Sequence, residues 1–178
     1  MPVDFPDLGW RFVHMPKTGG TWLSRYGNRV PGLPQHASAA DSVCDATMVA
    51  TRRDPAAWYE SYWRHCMQGP KPGVPHNFED AIGLWTEPGA APLLIKAAPP
   101  GKTLYQAYCG HFFGRDGILI DAWLDTHLLN QQMRKDDSPY AQRRYPKRPT
   151  WRPDMIDRVD DADRAYYDHL RTLPTAAP

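Results

Sequence analysis

The feature that most constrains this chain lies near its start. The run Trp10-Arg11-Phe12-Val13-His14-Met15 is apolar and reads as a short buried strand. Pro16-Lys17-Thr18-Gly19-Gly20-Thr21-Trp22 follows as a glycine-containing turn, and Leu23-Ser24-Arg25-Tyr26 can continue as a helix. A strand, a glycine turn and a helix in that order predict an α/β fold and a ready anion site. The first helical N–H groups have no partner within the helix and point at the turn. Gly19 and Gly20 let the backbone approach a phosphate closely, and the hydroxyls of Thr18 and Thr21 add donors.

A nucleoside-triphosphatase loop has the order G-x-x-x-x-G-K-[ST], with its lysine after the glycines. Here Lys17 precedes Gly19 and Gly20, and no glycine opens the loop, which disfavours ATP or GTP hydrolysis. The order His14-x-Pro16-Lys17-Thr18-Gly19-Gly20-Thr21 instead resembles the 5′-phosphosulfate loop of the sulfotransferases that use PAPS, 3′-phosphoadenosine 5′-phosphosulfate. That resemblance implies a P-loop-like sulfotransferase architecture. It also implies that Lys17, Thr18, Gly19, Gly20 and Thr21 hold the phosphosulfate of PAPS and that no metal is required. In the cytosolic branch of the family a tryptophan at this place stacks on adenine. Trp22 has that role open to it, and equally that of a core residue packing helix on sheet.

A second motif lies downstream. Thr47-Met48-Val49-Ala50-Thr51-Arg52 is β-rich and predicts a second parallel strand. Asp54-Pro55 then starts a helix, with Asp54 as cap and Pro55 in the first turn. In the resembled family an arginine at a strand end, with a serine eight residues later, binds the 3′-phosphate. Arg53 and Ser61 match that spacing. Arginine suits the task because its rigid fork of donors matches a phosphate. The chain departs from many extracellular-type members at Trp58, where they carry a second arginine.

Transfer of a sulfuryl group to a hydroxyl needs a base. His36, in the segment Pro34–Asp41, is the candidate, because an imidazole with a pKa near 6.5 accepts a proton at neutral pH. Asp41 and Glu60 are the carboxylate alternatives. The basic segment with Arg143, Arg144, Lys147 and Arg148 reads as a solvated linker or, by resemblance, as a loop closing over the 3′-phosphate.

The remaining chain bears on class. Its 178 residues suit a single domain, 1–178, with a short parallel sheet flanked by helices. The net charge of +1 gives no case for a nucleic-acid partner or an acidic membrane surface. No apolar run approaches the ~20 residues of a membrane span, and the N-terminus lacks a signal-peptide pattern. Three widely spaced cysteines without a C-x-x-C pair fit reduced thiols, so a cytoplasmic protein is expected. Further expectations are a helix from Thr21 to the Asn28–Gly32 breakers and a short helix Phe78–Trp85 capped by Asn77. A strand Gly117–Asp121 is followed by a helix from Trp123 to Arg134 that includes His127. A last helix, Pro153–Leu173, packs on the sheet. The aromatics between Tyr105 and Phe113 read as core or as an acceptor-pocket lining.

The resemblance therefore implies sulfuryl transfer from PAPS to an acceptor hydroxyl, with adenosine 3′,5′-bisphosphate as product. A saccharide acceptor has a slight lead over a small metabolite, since this loop form is familiar from carbohydrate-modifying branches. The alternatives are a catalytically silent protein that binds a 3′-phosphonucleotide and a P-loop small-molecule kinase. The sequence is silent on oligomeric state.

Overall fold

The structure is a computed structural model and describes residues 2–34, 36–69, 72–89, 101–126 and 147–175. Its strands are β1 (Val3–Phe5), β2 (Trp10–Val13), β3 (Asn28–Arg29), β4 (Thr47–Arg52) and β5 (Ala122–Asp125). Its helices are α1 (Gly20–Leu23), α2 (Pro55–Cys66), α3 (Phe78–Trp85), α4 (Leu104–Phe113), α5 (Pro153–Val159) and α6 (Ala165–Thr172). A π-helical turn, Asp160–Arg164, joins the last two. Among the described residues no helix is long and apolar enough to cross a membrane. The chain forms two compact units, one from residues 1–53, 109–143 and 170–178, the other from 54–108 and 144–169.

The first unit holds a five-stranded mixed sheet in the order β3-β1-β2-β4-β5. The expected parallel strands are there: β2 pairs in parallel with β4, and β4 with β5. The expectation of a wholly parallel sheet is corrected by β1 and β3, which pair antiparallel. The reason is connection length. Pro6–Leu8 forms a 3₁₀ turn that ends at Gly9 with φ 65°, and so short a link closes only an antiparallel pair. Along one row of the sheet Val3 faces Phe12, Phe12 faces Val49, and Val49 faces Ala122. Val3, Phe12 and Val49 are buried, with Leu23 of α1 packed against them. Trp123, next along β5, points to the opposite face and meets Phe113 edge-on at 4.9 Å.

Two expected elements differ. The first helix is one turn long, because Gly27 brings the chain against β1 where it adds β3 as an edge. A Cβ at Gly27 would overlap Val3 and lie 2.8 Å from the Asp4 carbonyl. In place of the strand expected at Gly117–Asp121, β5 runs from Ala122 to Asp125 and takes in Trp123, the expected start of a helix. Asp121 sets that start by accepting from the Met48 N–H at 2.7 Å through its side chain and donating its own N–H to the Met48 carbonyl. Ile118 and Leu119, the apolar pair behind the expectation, are exposed. His127 and the rest of the helix expected to follow lie outside the described residues.

In the second unit the expected caps are in place. Asp54 accepts from Ala57 N–H at 3.1 Å and Asn77 from Glu79 N–H at 3.0 Å. Helix α2 buries Trp58, Tyr59, Tyr62 and Cys66, the spacing of one helical face, and α3 buries Phe78, Ala81, Ile82 and Trp85. Trp58 stacks on Tyr62 at 4.9 Å, and Tyr62 and Tyr108 share a hydroxyl–hydroxyl hydrogen bond of 2.7 Å. The aromatics of α4 are core: Tyr105, Tyr108, Phe112 and Phe113 are all buried. Of the last helix, α5 and its π-turn pack on α2 and α3, while the Leu170 carbonyl of α6 accepts from Arg52 at the end of β4. Asp163 of that turn is fully buried and accepts from Tyr59 and Thr103 hydroxyls, and burial pushes its carboxyl up to about 6.

Candidate phosphate-binding site

Strands β2, β4 and β5 run parallel, so their C-terminal ends gather the segments that follow them: His14–Gly20, Arg53 and Thr126. Ligands of open α/β sheets sit outside these carboxyl ends. The chain after β2 must turn at once, and it does so with Lys17 at φ 70° and Gly19 at φ 86°. A left-handed φ is ordinary for glycine and disfavoured for lysine, so the surroundings must hold Lys17 there.

Those surroundings are specific. Thr18 is buried and its hydroxyl donates to the Met15 carbonyl at 2.8 Å. The Thr51 hydroxyl, one residue before the end of β4, donates to Thr18 Oγ1 at 2.8 Å. Thr126, just past β5, donates to the Arg52 carbonyl at 2.8 Å and lies 3.3 Å from the Thr18 carbonyl. Three buried hydroxyls thus fasten the turn to two strand ends. The Thr18 hydroxyl expected as an anion donor is used in this fastening.

Arg53 reaches the same turn. Its Nη1 donates to the Lys17 carbonyl at 2.7 Å, so the structure brings together the two residues that carry the two sequence motifs. Arg52, its neighbour, is structural: it is buried, pairs with Asp125 at 2.7 Å and donates to the Leu170 carbonyl at 2.6 Å.

His14, which opens the quoted motif, packs beside the turn. Its ring stacks on Phe12 with centroids 6.4 Å apart and packs on Gly20, where an added Cβ would overlap the imidazole. Burial, with further pushes from positive charge at His36 and Lys17, lowers its pKa to about 3, so the ring is neutral at working pH. His36 is exposed; its ring meets Phe112 edge-on at 6.4 Å, and the Ala39 N–H donates to the Phe112 carbonyl. Partial burial draws its pKa below 6.5, which keeps it unprotonated and able to accept a proton at neutral pH.

The carboxylate alternatives are engaged elsewhere. Asp41 accepts from the Ser38 hydroxyl at 2.7 Å and the Ser38 N–H at 3.0 Å, bonds that hold its carboxyl below the usual range and weaken it as a base. In the second unit Glu60 accepts from Trp151 Nε1 at 3.3 Å and lies near Arg64 and Arg148, at 3.8 and 3.6 Å. Ser61 is half-buried in α2 of that unit, and Lys147 and Arg148 are exposed there. The side chains of Thr21 and Trp22, and residues Arg143 and Arg144, lie outside what is described.

The second unit also has two adjoining clefts of about 640 and 600 Å³. Asp154, Asp157 and Asp161 line the first of them and Arg158 borders both, a rim whose charge opposes a phosphate. Among the described residues no group of His, Cys, Asp and Glu is placed to hold a metal ion. Comparison with family models, curated proteins and solved structures gives no match to this chain.

Proposed function

We propose that the chain is a sulfotransferase that moves a sulfuryl group from PAPS to an acceptor hydroxyl, on a saccharide or a small metabolite. The observation that carries this reading is the contact between Arg53 and the Lys17 carbonyl at the carboxyl ends of parallel strands. It sets a lysine-bearing glycine turn and a strand-end arginine side by side, as the two phosphates of one nucleotide require. The donor set is cationic and directional: the Lys17 ammonium, the Arg53 fork and the amides of Thr18, Gly19 and Gly20 all suit oxyanions.

In the reaction, an acceptor oxygen forms a bond to sulfur while the bond from sulfur to the phosphate oxygen breaks. Adenosine 3′,5′-bisphosphate leaves, and the acceptor proton passes to a base. Lys17 neutralises charge that develops on the leaving phosphate, and its value is greatest where water is excluded. His36, uncharged at neutral pH, takes the proton.

Turnover of labelled PAPS with a panel of sugar, phenol and alcohol acceptors tests the proposal. Lys17→Ala should lower turnover by a factor of at least ~10³, on the scale of losing a preorganised donor to the transition state, with folding retained. Near-normal turnover by that variant would remove Lys17 from the chemistry.

A further inference from the structure

We propose that Arg53 is a positioning residue for the phosphate turn as well as a reader of the 3′-phosphate, so that the two phosphate subsites are coupled through the Lys17 carbonyl. The inference rests on the functional reading above and deepens it. It starts from the backbone of Lys17, which holds φ 70°, a conformation a side-chain-bearing residue seldom adopts. A peptide unit is planar, so the direction of the Lys17 carbonyl fixes the direction of the Thr18 N–H on the other side of the same plane. That carbonyl accepts from Arg53 Nη1 at 2.7 Å. Beyond it, Thr18 is held through its hydroxyl by Met15 and Thr51 and meets Thr126 at its carbonyl.

The hydroxyls fasten Thr18, and the guanidinium donates to the carbonyl of the peptide before it. A guanidinium carries five donors in a rigid fork, so one can hold a carbonyl while the fork meets a phosphate. A nucleotide 3′-phosphate at Arg53 then steadies the peptide that presents the Thr18 amide to the 5′-phosphate. By linkage, occupancy of the 5′ subsite favours the 3′ subsite by the same factor. Recognition of the 3′-phosphate is thereby transmitted to the end of the nucleotide where chemistry occurs.

The test compares wild type, Arg53→Ala and Arg53→Lys on the full chain. Calorimetry gives the affinities of 5′-AMP and 3′-AMP, and ¹⁵N relaxation gives the order of the Thr18 and Gly19 amides without nucleotide. Loss of a charged hydrogen bond should weaken 5′-AMP about tenfold in Arg53→Ala, along with 3′-AMP. The Thr18 amide should fall from a rigid order parameter of about 0.85 toward 0.6. Arg53→Lys, which keeps a cationic donor for the carbonyl, should recover 5′-AMP but not 3′-AMP. If Arg53→Ala weakens 3′-AMP alone and the Thr18 amide stays rigid, the coupling is refuted and the sulfotransferase reading stands. If wild type binds neither nucleotide, that reading falls, and the Thr18 amide alone decides whether Arg53 positions the turn.

Discussion

His14 shows how one side chain ties the site to the stability of the protein. Its ring lies between Phe12 and Gly20, and its folded pKa of about 3 is far below the ordinary 6.5. As pH falls below 6.5 the unfolded chain takes up a proton at this position while the folded chain does not, so the unfolded state gains. Stability from this group is full above about pH 6.5 and declines toward pH 3, by up to ~1.4 kcal/mol per pH unit. Urea unfolding at pH 7.5 and pH 5 should show the decline. The decline should be smaller in His14→Asn, which has no proton to gain; an equal decline would place the pH sensitivity elsewhere. At this scale Lys17 and Arg53 each stand out in the sequence because each belongs to a short local motif, and the structure sets them 2.7 Å apart across 36 residues of chain. Thr51 and Thr126 do not stand out. Each is an ordinary strand-end threonine until the parallel register sets its hydroxyl against Thr18 or Arg52.

Among the elements, those with local signals are legible in the sequence. Asp54-Pro55 and Asn77 each carry their own cap, and β4 is buried from Met48 to Arg52 in keeping with a central strand. Elements whose existence depends on a distant partner were missed. β1 and β3 are three and two residues long and exist because the turn at Gly9 and the close approach at Gly27 set their pairing. The same dependence fixes α1. It is a single turn whose first residue, Gly20, leaves room for the His14 ring, so its place against β2 rests on a missing side chain. Gly20→Ala should therefore lower the melting temperature by an amount equivalent to ~1–3 kcal/mol, the usual cost of overpacking. The double variant His14→Ala/Gly20→Ala should regain part of that loss, since the new methyl enters the space the ring vacates. Additive losses in the double variant would show that the ring and the turn do not share that space.

For the whole molecule, the strand, glycine turn and helix in order predict an α/β chain, and the mixed five-stranded sheet bears out the class. Length and composition suit a single domain. They do not divide the chain as the structure does. The first unit draws on three separate stretches and the second on two, and α4 and the last helix each contribute to both. No linker or composition shift marks such an arrangement, because two of the boundaries, after Tyr108 and after His169, fall inside helices. On the proposed function, a turn led by Lys17, with Arg53 at its carbonyl, reads a nucleotide phosphorylated at both the 3′ and 5′ positions. Calorimetric titration of adenosine 3′,5′-bisphosphate against ADP, first without and then with magnesium, tests this reading. The expected result is micromolar affinity for the bisphosphate and binding of ADP at least about tenfold weaker. Equal affinities, or ADP binding that appears only with magnesium, would contradict it and favour the kinase class instead.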